Sequence, residues 1–266
     1  MSQWFVVITL TSSALGTFAL PQALDTRAAP TIYLAGDSTM AAKGANDGAT
    51  DGWGQYLSKY VTATVVNKAK AGRSARSYTN EGRFTEIANL VKSGDIVVIE
   101  LGHNDGGSPT SSTDNARSDC PGTGEETCKS GKTGEIVYTF GHYVKAAAKT
   151  YIAKGAKVVV SSQTPNNLWE GGKYSAAAPR FVAYAAQAGK EVGAGASFVD
   201  HFQAVANMYK KLGDTATNNL YPNDHTHTSP TGADLSAQAF AQAIKLALNG
   251  TTPISSYLKA GNPTVW

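Results

Sequence analysis

The sequence predicts an α/β fold, one domain built around a largely parallel sheet with helices on both faces. Three observations carry this. Apolar runs recur near residues 32–35, 61–66, 96–101, 157–161 and 197–199, with segments of helical spacing between them. Strands that alternate with helices imply right-handed βαβ units. The runs at 96–101 (Ile-Val-Val-Ile-Glu-Leu) and 157–161 (Lys-Val-Val-Val-Ser) are almost continuously apolar and β-branched, the pattern of strands covered on both faces. Neither an internal repeat nor a second set of elements occurs in 266 residues, a length ample for one large core.

Residues 31–40, Thr-Ile-Tyr-Leu-Ala-Gly-Asp-Ser-Thr-Met, organise the rest. Ile32 to Ala35 reads as a buried strand that stops at Gly36-Asp37-Ser38. Glycine lets the chain turn sharply there. Ser38 therefore sits at the C-terminal end of a strand, where open α/β sheets build their sites. Taken alone, these three residues read first as an ordinary turn, and the rest of the chain has to shift that. A polar, Gly-rich loop follows at 41–52, then a short helix at 53–60 and a second strand at 61–66. The loop 67–74 holds Gly72. Phe84, Ile87, Leu90 and Val91 place a helix over 80–91. Gly102-His103-Asn104-Asp105 closes the strand 96–101.

Residues 106–132 form a long polar loop, a type that is usually functional or disordered. Val137, Phe140, Val144, Ala147, Ala148 and Tyr151 carry a helix over 135–154. Beyond the strand 157–161 come a loop at 163–173 and a helix at 179–192, with Pro179 suited to its first turn. The short strand 197–199, a helix at 203–212 and a polar loop at 217–227 follow. An Ala-rich helix over 230–248 begins at Pro230. The domain so read spans 30–250, and the tail 251–266 has two prolines and no legible period.

Charged residues make up 16% of the chain and the net charge is +3, with no Lys/Arg block of the kind that binds nucleic acid. Residues 1–19 read as a signal peptide, with Thr17 and Ala19 as the small residues of a cleavage site, and the segment to about residue 29 as a pro-segment. The apolar stretch is too short and too rich in Ser and Thr to read as a membrane span. Secretion is therefore expected. In a secreted chain, Cys120 and Cys128 are expected to form a local disulfide that pins a surface loop. With no histidine nearby they make a poor zinc site. Asn249, in Asn249-Gly250-Thr251, is the single N-glycosylation sequon.

Candidate chemistry lies in four blocks. Ser38 is a potential nucleophile, and a serine hydroxyl needs an imidazole base that a carboxylate orients. Asp224 and His227, in Asp224-His225-Thr226-His227, supply both if the segment makes one tight turn. The same residues also read as a capping Asp with surface histidines, or as a metal site through His225 and His227 that lacks further ligands. Gly72 lets backbone approach an oxyanion, and the Asn104 amide can donate to one. No G-x-S-x-G elbow occurs around any serine.

In order and spacing, these blocks resemble the SGNH (GDSL-type) hydrolase family, and within it most of all the rhamnogalacturonan acetylesterases. The likeness runs from about residue 31 to 248. It is carried by Tyr33-Leu-Ala-Gly-Asp-Ser-Thr-Met40, Ala71-Gly-Arg-Ser-Ala-Arg-Ser-Tyr78, Gly102-His-Asn-Asp-Gly-Gly107 and Asp224-His-Thr-His-Thr-Ser229. The resemblance implies a three-layer α/β/α sandwich, with a central five-stranded parallel sheet in flavodoxin-like 2-1-3-4-5 order. It implies Ser38 as nucleophile, His227 as base and Asp224 as its orienter. The backbone N–H groups of Ser38 and Gly72 and the Asn104 amide would form the oxyanion hole. Neither metal nor organic cofactor is implied. The implied substrate is an acetylated acidic polysaccharide, rhamnogalacturonan in pectin, acted on by a secreted monomer with no nucleic-acid or membrane partner.

Arg73 and Arg76 are candidates to meet the carboxylates of such a polymer, or else belong to a solvated loop. Trp53, Tyr78 and Trp169 suit sugar stacking or core packing equally. His103, His142 and His201 read as structural or surface residues. Two alternatives remain open: a related esterase or lipase acting on acetylated xylan or simple esters, and a non-catalytic cell-wall-binding protein. The polar loops 41–52 and 106–132 favour a sugar over a lipid, and the intact blocks favour an enzyme.

Overall fold

A computed structural model describes residue 1 and residues 29–266, so the expected signal peptide and nearly all of the pro-segment lie outside the described residues. In chain order the elements are β1 (Thr31–Gly36), β2 (Thr64–Asn67), α1 (Ala75–Asn80), α2 (Arg83–Leu90), β3 (Ile96–Glu100), β4 (Thr127–Lys129) and β5 (Ile136–Tyr138). There follow α3 (Phe140–Ala153), β6 (Lys157–Ser161), α4 (Arg180–Val192), β7 (Ala196–Val199), α5 (His201–Leu212), α6 (Asp214–Asn218) and α7 (Pro230–Lys245).

Five strands form one parallel sheet in the order β2-β1-β3-β6-β7, which is 2-1-3-4-5 among its own strands. Side chains alternate across a strand. Ile32 and Leu34 of β1 thus enter a core beneath α5 and α7, and Tyr33 and Ala35 enter a second core beneath α1 to α4. The sheet is the middle of three layers. Its strand order reverses between β1 and β3, where Gly36 pairs with Glu100, and the chain leaves both strands at the same edge. Such a crevice is where ligands bind in open α/β sheets. Among the described residues, no helix is long and apolar enough to cross a membrane.

Several boundaries differ from expectation. The helix at 53–60 is two short 3₁₀ turns, Trp53–Gln55 and Leu57–Lys59. The strand at 61–66 starts only at Thr64, because Val61 and Thr62 pair instead with Leu258 and Tyr257 of the tail. The helix at 80–91 is α2, which starts only at Arg83. It is preceded by α1, in a stretch with no expected element, whose start is set by a reciprocal N-terminal cap of Ser74 and Ser77. The helix at 135–154 begins at Phe140, since residues 136–138 pair antiparallel with 127–129. The long polar loop therefore contains a small hairpin. The Cys120–Cys128 disulfide, with Cα atoms 5.5 Å apart, ties the loop to it. Cys128 lies in β4, and the Cys120 N–H donates to the Tyr138 carbonyl at 2.9 Å. The tail is packed rather than loose. Ile254 is fully buried, and the Gln242 side chain receives the Val265 N–H and donates to the Trp266 carbonyl.

Candidate active site

Strand β1 ends in a turn that projects Ser38. The Asp37 carbonyl accepts the N–H groups of Met40 and Ala41, at 3.3 and 2.9 Å. Its carboxylate Oδ1 accepts the Thr39 N–H and hydroxyl, at 2.9 and 2.8 Å. Asp37 is thus a turn-holder. A Cβ on Gly36 would come within 2.9 Å of the Glu100 carbonyl and 2.6 Å of the Met40 sulfur, so the turn needs glycine for close approach.

The Asp224 segment makes the tight turn its spacing allows. Asp224 Oδ1 accepts the Thr226 and His227 N–H groups, both at 2.7 Å. Its Oδ2 lies 2.7 Å from His227 Nδ1, and His227 Nε2 lies 2.7 Å from Ser38 Oγ. The carboxylate can only accept, so Nδ1 carries the hydrogen and Nε2 is left to accept the Ser38 hydroxyl proton. Burial pushes the Asp224 carboxyl up, but the hydrogen bonds it receives outweigh that and hold it below its usual range. His225 turns away to Glu170, 3.1 Å distant, while its carbonyl accepts the Asn167 N–H. Among the described residues, no group of three or more ligating side chains is arranged to hold a metal.

Strands β2 and β3 bring the other donors. Gly72 has φ of +76°, a conformation that suits glycine, and a Cβ there would meet only Arg117 Nη1 at 3.6 Å. Among the described residues, the backbone N–H groups of Ser38 and Gly72 have no hydrogen-bond acceptor. Asn104 Nδ2 donates one hydrogen to the Arg73 carbonyl at 3.2 Å, and its other hydrogen is unused. Arg117 Nη1 donates to Asn104 Oδ1 at 3.3 Å and to the Gly72 carbonyl at 3.4 Å. The structure therefore brings Ser38, Gly72, Asn104, Asp224 and His227 to one edge of the sheet. Two cavities open beside them. One, of about 330 Å³, includes Gly102, His103, Gln163 and Phe181. The other, of about 300 Å³, includes Gly72, Arg73, Glu81 and Arg117.

Other candidates lie elsewhere. Arg76 does not reach a substrate: it is fully buried, because α1 turns it under the 106–132 loop. There it forms a forked pair with Asp114, at 3.1 and 2.8 Å, and also meets the Ser118 carbonyl and Glu135. Arg73 borders the second cavity, but its Nε is committed to both oxygens of Glu81, at 2.9 and 3.1 Å. Trp53 and Tyr78 are fully buried core residues, and Trp169 packs on Tyr174 with its N–H on the Tyr209 carbonyl. His201 is buried against Glu100, and His142 stacks on Tyr138. Asn249 is exposed, as a glycan acceptor must be.

Sequence reasoning missed three residues near the site. Arg117 is one. Asp105, which follows Asn104, and Asp119 are the others, two buried carboxyls. Asp105 Oδ1 accepts the Ala75 N–H at 2.7 Å, while Asp105 Oδ2 and both Asp119 oxygens meet no N–H or O–H among the described residues. Burial pushes Asp105 up to about 7 and, together with the neighbouring Asp105, pushes Asp119 well above its ordinary value. Both carboxyls are thus held towards their protonated forms. A Gly-Asp-Ser or Asp-x-x-His signature has no counterpart around these residues, so nothing local marks them.

The chain is similar to known proteins over most of its length. A family model described as GDSL-like lipase/acylhydrolase matches residues 32–240. A rhamnogalacturonan acetylesterase from Emericella nidulans is 50% identical over 239 residues, covering 89% of this chain and 90% of that protein. The solved structure of YxiM from Bacillus subtilis superposes with a TM-score of 0.64 at 25% identity, covering 82% of this chain and 57% of that one. Axe2, an acetylxylan esterase from Geobacillus stearothermophilus, shares the fold with a TM-score of 0.54 at 16% identity, over 80% of this chain and 93% of its own.

Proposed function

Because the chain belongs to the GDSL-like lipase/acylhydrolase family, we propose that this carboxylic ester hydrolase removes acetyl groups from acetylated rhamnogalacturonan through an acyl-enzyme on Ser38. The observation that carries the reading is the relay of Ser38, His227 and Asp224, 2.7 Å at each step, beside two backbone amides with no acceptor. His227 Nε2 takes the Ser38 proton as Oγ attacks the acetyl carbonyl. Charge that develops on the carbonyl oxygen is met by the Ser38 and Gly72 N–H groups and by the second amide hydrogen of Asn104. The imidazolium, held by Asp224, then protonates the departing sugar oxygen. Water attacks the acetyl-Ser38 ester, giving its proton to His227, and acetate leaves as Ser38 regains its hydrogen.

The substrate assignment draws on the 50% identity to the Emericella nidulans acetylesterase and on the polar character of the loops that border the site. Secretion is part of the same reading, supported by the apolar N-terminus, the disulfide and the exposed sequon at Asn249. The test is acetate release from acetylated rhamnogalacturonan and, separately, from acetylated xylan, with wild type beside Ser38→Ala. Ser38-dependent release from the pectin polymer is expected. Release mainly from xylan keeps the mechanism and discards the substrate. No Ser38-dependent release from either polymer discards both.

A further inference from the structure

We infer that Arg117 is the carboxylate anchor of the substrate groove, receiving a uronate carboxylate of the polymer beside the oxyanion hole. The inference rests on the substrate reading above and deepens it. Arg73, Arg76 and Arg83 each face an acidic side chain, whereas Arg117 has no acidic partner among the described residues. Its two contacts, to the Gly72 carbonyl and Asn104 Oδ1 at 3.4 and 3.3 Å, are long and go to neutral oxygens, so its charge is left uncompensated. Both contacts use Nη1, and the remaining donors of the fork have no partner among the described residues.

Arg117 borders the cavity of about 300 Å³ that starts at Gly72, a size at the lower end of ligand sites, roughly 300–1,000 Å³. The other charges on that cavity, Arg73 and Glu81, already pair with each other, so Arg117 supplies the surplus positive charge. A guanidinium meets a carboxylate through two parallel N–H bonds, which adds geometric selection to attraction.

The loop holds this side chain ready. Buried Arg76 grips Asp114 and the Ser118 carbonyl, on either side of Arg117. Ser130 also donates to Asp114, Ser118 Oγ donates to the Gly106 carbonyl, and Asn115 Oδ1 accepts the Arg117 N–H at 3.0 Å. Ala116, just before it, has φ of +60°, a backbone state that a non-glycine residue keeps only when its surroundings impose it. Ordering the anchor before substrate arrives reduces what binding must overcome.

The test compares one acetylated rhamnogalacturonan preparation with the same polymer after its uronate carboxyls are reduced to alcohols. The readout is the ratio of kcat/KM for native over reduced polymer. Wild type should favour the native polymer, chiefly through KM. Arg117→Gln should lower the ratio about tenfold, the scale of one charge-assisted hydrogen bond, and Arg117→Lys should recover part of it. Equal losses on both polymers in Arg117→Gln would identify a guanidinium that only holds Asn104 and Gly72, and would overturn the inference. An unchanged ratio would do the same. Wild type inactive on both polymers, yet Ser38-dependent on acetylated xylan, fails the substrate reading and takes the anchor with it. An active wild type with an insensitive ratio fails the anchor alone.

Discussion

Asn104 is held at its oxygen by Arg117 and at one amide hydrogen by the Arg73 carbonyl. That leaves the second hydrogen aimed by two partners rather than free to rotate. Asn104→Ala removes one of the three proposed oxyanion donors and should lower kcat by about 10²–10³, or ~2.7–4 kcal/mol, with a much smaller change in KM. A variant that keeps more than half the wild-type kcat on p-nitrophenyl acetate would exclude the role. The groups at this scale were legible in the sequence because each is marked locally: Ser38 by the strand-ending Gly-Asp-Ser, Asn104 by the end of the next strand, Asp224 and His227 by a spacing that one turn satisfies. Arg117 carries no such mark, since nothing in a polar loop distinguishes an arginine over a cavity from one in solvent.

At the scale of elements, the 106–132 loop is held by the buried pair of α1 and that loop, Arg76 with Asp114. Truncating one partner strands the other as an uncompensated buried charge. Arg76→Met should therefore destabilise by about 3–5 kcal/mol in urea unfolding. Adding Asp114→Leu to that variant should recover part of the loss, because no charge is then left buried without its partner, while the Ser118 carbonyl and the Ser130 hydroxyl still lose theirs. A single variant within about 1 kcal/mol of wild type would mean the pair is not what holds the loop. The hairpin of β4 and β5 escaped sequence reading because each strand has three residues, and Val137 satisfies the helical spacing of 135–154 as well as it satisfies a strand. Helix α1 was hidden for a related reason. It is six residues long, so its start is written in the Ser74 and Ser77 cap rather than in a hydrophobic period.

The whole molecule buries two carboxyls, Asp105 and Asp119, next to the Asn104 segment, and its stability should report on them. Burial raises Asp105 to about 7 and Asp119 above its ordinary value, so the folded protein keeps protons that the unfolded chain has released above about pH 4. Stability from Asp105 is fully present below about pH 4 and is lost as pH rises towards about 7, and that from Asp119 is lost over the same rise and beyond it. Asp119→Asn stays neutral beside Asp105 without needing a proton. The thermal midpoint of wild type relative to this variant should therefore fall between about pH 5 and pH 8. Parallel curves over that range would refute the raised pKa of Asp119. By itself, the sequence determined the alternation of strands and helices, the two-sided burial of the sheet and the candidate groups that meet at its edge, Ser38, Gly72, Asn104, Asp224 and His227. Each of these is written in short-range terms: period, β-branching, turn chemistry and spacing within one segment. Only the tertiary structure decided which arginine borders the cavity beside Gly72, that the tail packs into the core, and that two aspartates are buried side by side with raised pKa values. Arg73, Arg76 and Arg117 have the same chemistry, and they differ only in what closes over them. That is set by distant segments meeting at the switch between β1 and β3, which no local pattern encodes.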